Sequence, residues 1–441
     1  MFDEVNLGRP MNNITKIFLI LLVCLPMTAN SAIRDAEMDG YFRQLASPLF
    51  KVAGVTDGKV EVNGRTNWNA FVMAGRIVHM NAGLIMAAPG PNVLRGVLAH
   101  EIGHIAAGHV ARRQEFQRDT RFLSIAGALL GAAGGLAGSG DVVGSGMMTG
   151  MGLQASANLA FSRAHEAAAD QAGRKFLTEI GEDPKGLSMF LNMLDRQSGR
   201  NRNDVLQYIS THPMTPDRIA MLEGTPNPEN LVDSDDTDLM TTHRRIQAKL
   251  KGFLMDPNAV LRSYANEEDV PALMGKAIAY NRLGRGAERD AILGKLNQID
   301  PKNPYNWDLE AELYYASGDI NRACKIYNKA HQALRGNPII ALGQAKCLAQ
   351  ANIEQKKSAV ALLTRFEPSL NDLVTYWTLL ARTYDELGNR GRAEAVTAEL
   401  RYRQGKKDDA LWFAKRANQS LTPGDPWHAR MQDIISALDR G

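Results

Sequence analysis

Two histidines four residues apart, His100 and His104, with Glu101 directly after the first, constrain this chain more than any other feature. They are useful together only on a helix, where positions i and i+4 share a face and both imidazoles point the same way. Such a pair holds Zn²⁺, and a glutamate beside the first histidine lies where it can take a proton from water. The flanks ask for that helix. Pro91 and Asn92 read as a start signal, and Val93, Leu94, Val97 and Leu98 recur at helical spacing. The five-residue pattern His-Glu-Ile-Gly-His also arises by chance, so its partners have to be found elsewhere in the chain.

A catalytic zinc keeps three protein ligands and one open position. The alanine-rich, helix-prone stretch 162–170 carries Arg163, Glu166 and Asp170. Glu166 and Asp170 share a helical face. Glu166 is the candidate third ligand, and Asp170 the carboxylate that would hydrogen-bond the distal nitrogen of a ligand histidine and fix its tautomer. Arg163, one turn earlier, would pair with either acid. A solvated acidic helix is the competing reading. Thr211-His212-Pro213 sets a further histidine in a short loop before an apolar run, where a surface histidine and a ligand both fit. His79 and His109 are set aside as ligands, His109 because five residues of helix rotate it off the face of His104.

In this order the motifs resemble the gluzincin peptidases that include HtpX and the CaaX prenyl proteases, most closely the periplasmic branch with a helical-repeat tail. The resemblance runs over roughly residues 33–435. It implies one Zn²⁺ per chain on His100, His104 and Glu166, with Glu101 as catalytic base. It also implies that His212 is a further ligand or latch that keeps the enzyme inactive; a structural loop histidine is the other reading. The implied function is a periplasmic zinc endopeptidase with chaperone-like activity in the assembly and quality control of outer-membrane β-barrel proteins. Its implied partners are unfolded or misassembled outer-membrane proteins and the β-barrel assembly machinery. The alternative is a mainly non-proteolytic assembly chaperone with a latent zinc site. Residues 69–80, two extended runs around a turn, resemble the family's edge hairpin, to which an extended substrate adds as a strand; an ordinary hairpin reads the same.

The start of the chain fits an export signal. Residues 17–25 form a short apolar core after Lys16, followed by Pro26 and the small residues Ala29, Ser31 and Ala32. Such a core is short for a bilayer span, so cleavage near Ala32 and a periplasmic mature chain are expected. Asp3 and Glu4 suit a basic leader badly, which leaves Met11 as an alternative start. A formal charge of +3 spread over both halves gives no nucleic-acid footprint. Residues 121–160 hold ten glycines and, as charges, only Arg121 and Asp141. A mobile lid, packed helices and a membrane-touching segment all fit that composition.

After Arg218 the chain changes character: residues 225–238 are polar, acidic and Pro-containing, a linker or surface loop, and repeats follow a helical segment around 242–254. Leu273, Trp307 and Ala341 recur every 34 residues, as do Ala277, Ala311 and Ala345, with Gly284 and Gly318 at the turns. Trp377, Ala381, Tyr384, Gly388 and Ala393 continue the pattern after a shift of two, whereas Asn352 stands where glycine is expected. This is the tetratricopeptide signature, with a plain helical bundle as the alternative. Cys324 and Cys347 fall in this region, and their pairing depends on geometry. The expected chain is mainly α with a small β-hairpin or sheet. It comprises a signal peptide 1–32, a zincin-like metallopeptidase domain 33–240, a helical connector 241–264, and an α-solenoid of about four repeats over 265–438.

Overall fold

The computed structural model describes residues 32–73, 75–109, 111–112, 115–116, 162–213, 216–223 and 237–439. The leader, the glycine-rich segment 121–160 and most of the acidic linker 225–238 lie outside these residues. The chain divides into two units, Gly40–Leu254 with the residues up to Ile33, and Met255–Gly441 with Arg34–Asp39.

The first unit carries one small sheet in the order β1-β2-β4-β3. Its strands are β1 (Ala32–Ile33), β2 (Lys59–Asn63), β3 (Ala70–Val72) and β4 (Ile77–Asn81). β2 and β4 run parallel, and β3 folds back antiparallel on β4 with Phe71 opposite His79. Alternation sends Ala70, Val78 and Met80 into the core, while the Phe71 and His79 rings stack on the other face at 5.1 Å. The hairpin expected over 69–80 is therefore present, and β3 forms an edge of the sheet.

The helices that matter for the site are α1 (Ala36–Val52), α2 (Ala82–Ala87), α3 (Pro91–Ala106) and α4, described over 162–179. They are followed by α5 (Lys185–Arg200), α6 (Arg202–Thr211), α7 (Pro216–Glu223) and α8 (Thr237–Leu254). Pro91 opens α3 at its first turn, where a missing N–H costs nothing. Almost every residue of α3 from Pro91 to His104 is buried, so it is a central helix rather than a surface one.

Two glycine crossings hold it there. A Cβ on Gly103 would lie 2.9 Å from the Ala169 carbonyl oxygen, and one on Gly173 would lie 3.0 Å from the His100 nitrogen. These positions let α3 and α4 meet backbone to backbone. Farther along, a Cβ on Gly186 would lie 2.1 Å from the Asn92 carbonyl oxygen, so α5 is seated on α3 in the same way.

Within the span 241–264, α8 belongs to the first unit, where the ring of His243 meets the Tyr41 hydroxyl at 2.8 Å and the Ala88 carbonyl at 3.0 Å. The helix Pro257–Ser263 belongs to the second unit.

In the second unit, first helices begin at Val270, Pro304, Pro338 and Val374, which are intervals of 34, 34 and 36 residues. Each is followed by a partner helix, and a further pair, Lys407–Ser420 and Pro426–Asp439, extends the array beyond the four repeats read from the sequence. The recurrent alanines Ala277, Ala311 and Ala345 are fully or almost fully buried between helices. Gly284, Gly318 and Gly388 adopt φ of +71°, +87° and +74° in the turns, a conformation that costs glycine nothing. The third pair needs no such residue. Asn352 there accepts a hydrogen bond from the Gln355 N–H and caps the next helix. Cys324 and Cys347 form a disulfide, Cα–Cα 5.4 Å, between the second pair and the third.

Two stability outcomes follow. Gly103→Val, which overfills the α3–α4 crossing, should cost about 1–3 kcal/mol in urea unfolding. Gly199→Ala, inside α5 with nothing within 4 Å, should cost no stability and raise it by up to about 1 kcal/mol. Replacing both Cys324 and Cys347 by Ala should lower the stability of the second unit by about 3 kcal/mol, read as an earlier denaturant midpoint.

Candidate metal centre

His100 and His104 project from the last two turns of α3, and Glu166 reaches them from α4 across the glycine crossing. His212 arrives at the C-terminal end of α6. One ligand atom from each of the four lies within 4.8 Å of all the others, and all four residues are buried. His100 Nε2 is 3.1 Å from His104 Nε2, 3.4 Å from His212 Nδ1 and 3.4 Å from Glu166 Oε2. Glu166 Oε1 lies 3.4 Å from His104 Nε2, and Glu166 Oε2 lies 3.1 Å from His212 Nδ1.

These separations test whether a metal fits. Four N/O ligands at about 2.0–2.1 Å from a tetrahedral ion stand about 3.3–3.4 Å from one another. His100 Nδ1 is committed to the Asp170 carboxylate at 2.8 Å, so in the neutral ring its lone pair is on Nε2, facing the cluster. A buried set of converging lone pairs repels itself unless a cation lies between them. Residues and spacing therefore fit a tetrahedral cation.

A second layer fixes the ligands. Asp170 Oδ1 accepts from His100 and from Arg218 Nη2 at 2.8 Å, and Oδ2 accepts from Arg218 Nε at 2.6 Å. Arg218 Nη1 donates to the Pro213 carbonyl at 3.0 Å and lies 3.1 Å from Glu166 Oε2. The cation paired with both acids is thus Arg218 on α7. Arg163 is exposed on α4, and the sequence expectation for it is corrected. Arg163 shares the helical stripe of Glu166 and Asp170 but stands exposed in the first described turn of α4, while the buried carboxylates are met by Arg218.

His104 Nδ1 meets His109 Nδ1 at 2.9 Å, and the His109 ring stacks on His165 at 4.0 Å. His109 lies outside the ligand set, as does His79, which sits 3.5 Å from Glu61 on the sheet. Tyr208, one turn before His212, stacks on its ring at 4.5 Å. Neither the His109 contact nor Tyr208 was drawn from the sequence. The glycine at 108, a common helix terminator, was the available signal for the first.

Electrostatics follow from this packing. Burial opposes a charge on His100, but hydrogen bonds with Asp170 and Glu166 outweigh it and hold its pKa up at about 10. Burial dominates at His104 and lowers it to about 3. Burial would raise Glu166 and Asp170. The facing histidines overcome it for Glu166, and Arg218 with His100 for Asp170, so both carboxyls are lowered. Glu101 is raised by burial, and neither of its oxygens has a hydrogen-bond partner among the described residues. His212 Nε2 stands 3.6 Å from one of them. A buried carboxylate without a partner beside a lone-pair cluster is equipped to accept a proton from a molecule bound there.

Residues 34–226 match peptidase family M48. The chain is 30% identical over 199 residues to the metalloprotease LoiP of Escherichia coli (strain K12), covering 44% of this chain and 74% of that protein. It is 26% identical over 379 residues to the beta-barrel assembly-enhancing protease of the same organism, covering 84% of this chain and 76% of that one. The protein of that name from Yersinia pestis is 25% identical over 380 residues, with 84% and 77% covered. No helix among the described residues is long and apolar enough to cross a membrane. A four-donor buried centre on this helix crossing, and a relative matched over most of its own length, lead to one conclusion: the chain belongs to peptidase family M48.

Proposed function

We propose that this protein is a zinc-dependent endopeptidase of the periplasm that acts on misassembled outer-membrane β-barrel proteins and is held latent at rest by His212. The observation that carries the reading is the buried four-donor set, its ligand atoms within 4.8 Å of one another and five of its contacts at 3.1–3.4 Å, beside a Glu101 whose carboxylate accepts no hydrogen bond among the described residues.

His100, His104 and Glu166 would hold the ion. When bound, zinc supplies Lewis acidity toward a carbonyl oxygen and acidifies a coordinated water. Glu101 accepts the proton of the attacking water and delivers it to the leaving amine. Asp170 keeps the His100 lone pair directed inward, and Arg218 neutralises the buried carboxylates. β3, at the edge of the sheet, offers free backbone groups to an extended segment of substrate. The helix pairs of the second unit supply an adaptable surface for unfolded polypeptide.

Two features support latency. His212 Nδ1 is as near Glu166 as the other ligands are to each other, which fills the position that a catalytic site leaves to water. Its other ring nitrogen faces Glu101, so one imidazole covers both the fourth position and the base. The substrate class and the compartment rest on the resemblance to beta-barrel assembly-enhancing proteases and on the leader-like residues 17–32. The same resemblance favours a second output, chaperone-like promotion of barrel assembly in contact with the assembly machinery.

Glu101→Gln should abolish cleavage of misassembled barrel proteins, at least about 10³-fold, while the protein still binds one zinc; persistent cleavage would refute the peptidase reading. If that variant still restores barrel assembly in cells lacking the protein, binding is the main output. His212→Ala should raise the proteolytic rate, and an unchanged or lost rate with an intact fold would rule out the latch.

A further inference from the structure

Of the two histidines on α3, His100 has a carboxylate, Asp170, on its distal nitrogen. Among the described residues, no carboxylate meets the corresponding nitrogen of His104. Its Nδ1 instead meets Nδ1 of His109 at 2.9 Å, in a position where 5% of the His109 surface is exposed. Two ring nitrogens at that distance share one hydrogen: one donates and the other accepts.

The direction follows from the centre. His104 can present a lone pair at Nε2 only as the Nδ1–H tautomer, so Nδ1 must donate and His109 Nδ1 must accept. The accepting ring then carries its own hydrogen on Nε2. We propose that His109 is a positioning residue for metal binding: as a neutral imidazole acceptor, it selects the Nδ1–H tautomer of His104 and fixes the plane of its ring. The inference rests on the metallopeptidase reading above and deepens it.

Three observations carry it besides the distance. α3 ends at Ala106, and Gly108 at φ +65° turns the chain, which brings position 109 back over the ring of His104. The His104 and His109 rings meet edge-on at 72°, an arrangement that aims one ring nitrogen at the other. Finally, His109 is itself held, stacked on His165 at 4.0 Å and 10° between planes. His165 immediately precedes Glu166, so the helix that supplies the carboxylate ligand also orients the ring that orients His104. The two ligand histidines are thus supported differently. An anion backs His100, whereas a neutral ring backs His104 and adds no second buried charge.

The experiment uses the full chain loaded with zinc. In protein labelled with ¹⁵N-histidine, two-bond ¹H–¹⁵N spectra should show His104 protonated at Nδ1 and His109 protonated at Nε2 with a bare Nδ1. A hydrogen on His109 Nδ1 would overturn the proposal. His109→Leu should weaken zinc binding by about 10–100-fold and speed its dissociation. His109→Asn, whose side-chain oxygen reaches the same acceptor position, should restore most of the affinity. Equal weakening in both variants would reduce His109 to a packing residue and sink the idea, as would native affinity in His109→Leu. Should His109→Leu fail to fold, the ring-nitrogen spectra and the Asn variant still decide. A wild-type chain that binds no zinc would instead defeat the underlying metallopeptidase reading.

Discussion

The geometry of the centre depends on one buried ion pair, Asp170 with Arg218. The Asp170 carboxylate accepts from His100 on α3 and twice from Arg218 on α7, while Arg218 also reaches the Pro213 carbonyl beside His212 and the Glu166 carboxylate on α4. Three stretches far apart in sequence, around residues 100, 166–170 and 213–218, meet in this joint. Burying both charges costs several kcal/mol each, so the pair is a poor source of net stability. What it provides is definition: with the carboxylate's oxygens accepting from fixed donors, each neighbouring ring has one favourable orientation.

The joint works because the helices around it come unusually close. Glycines at 103 and 173 bring α4 against α3, and only that spacing lets a side chain as short as glutamate reach both imidazoles. On the proposed reading, once Glu166 is there the fourth donor decides the state of the site. With His212 in place the donors close on themselves. With His212 withdrawn, an open position and an accessible Glu101 would appear together. Tyr208, stacked on His212 and buried, ties that movement to α6. On the proposed reading, a site of this kind is active only when something moves the end of α6.

Much of this was legible in the sequence, for identifiable reasons. Helical spacing exposed the pair His100 and His104, the Glu166–Asp170 pair and the 34-residue array, because each is a local periodicity. Long-range partners were harder to read. Arg163 looked like the cation because it lies near the acids in sequence, yet Arg218, forty-eight positions from Asp170, occupies that place. His109 was set aside by helical rotation, and the helix stops before reaching it. The fifth helix pair keeps buried alanines at 410, 414 and 417 but has Leu421 where a turn glycine would continue the array, which weakens its signal in the sequence. Asn352, where the spacing asks for glycine, is the N-cap of the next helix, the role that Asp319 and Asn389 play in their own turns. Tyr208 carried no signal at all, since a tyrosine in a helix is ordinary core until a histidine is seen against it.

The claim that everything else turns on is the closed, four-donor resting centre. Zinc K-edge absorption fine structure on the resting, zinc-loaded chain measures it directly, because imidazole rings give a distinct outer-shell scattering pattern. Four N/O neighbours at about 2.0 Å, three of them imidazole, are the expected result. Two imidazoles with a water in the remaining position would contradict it, and would leave His212 a loop histidine near an already open site.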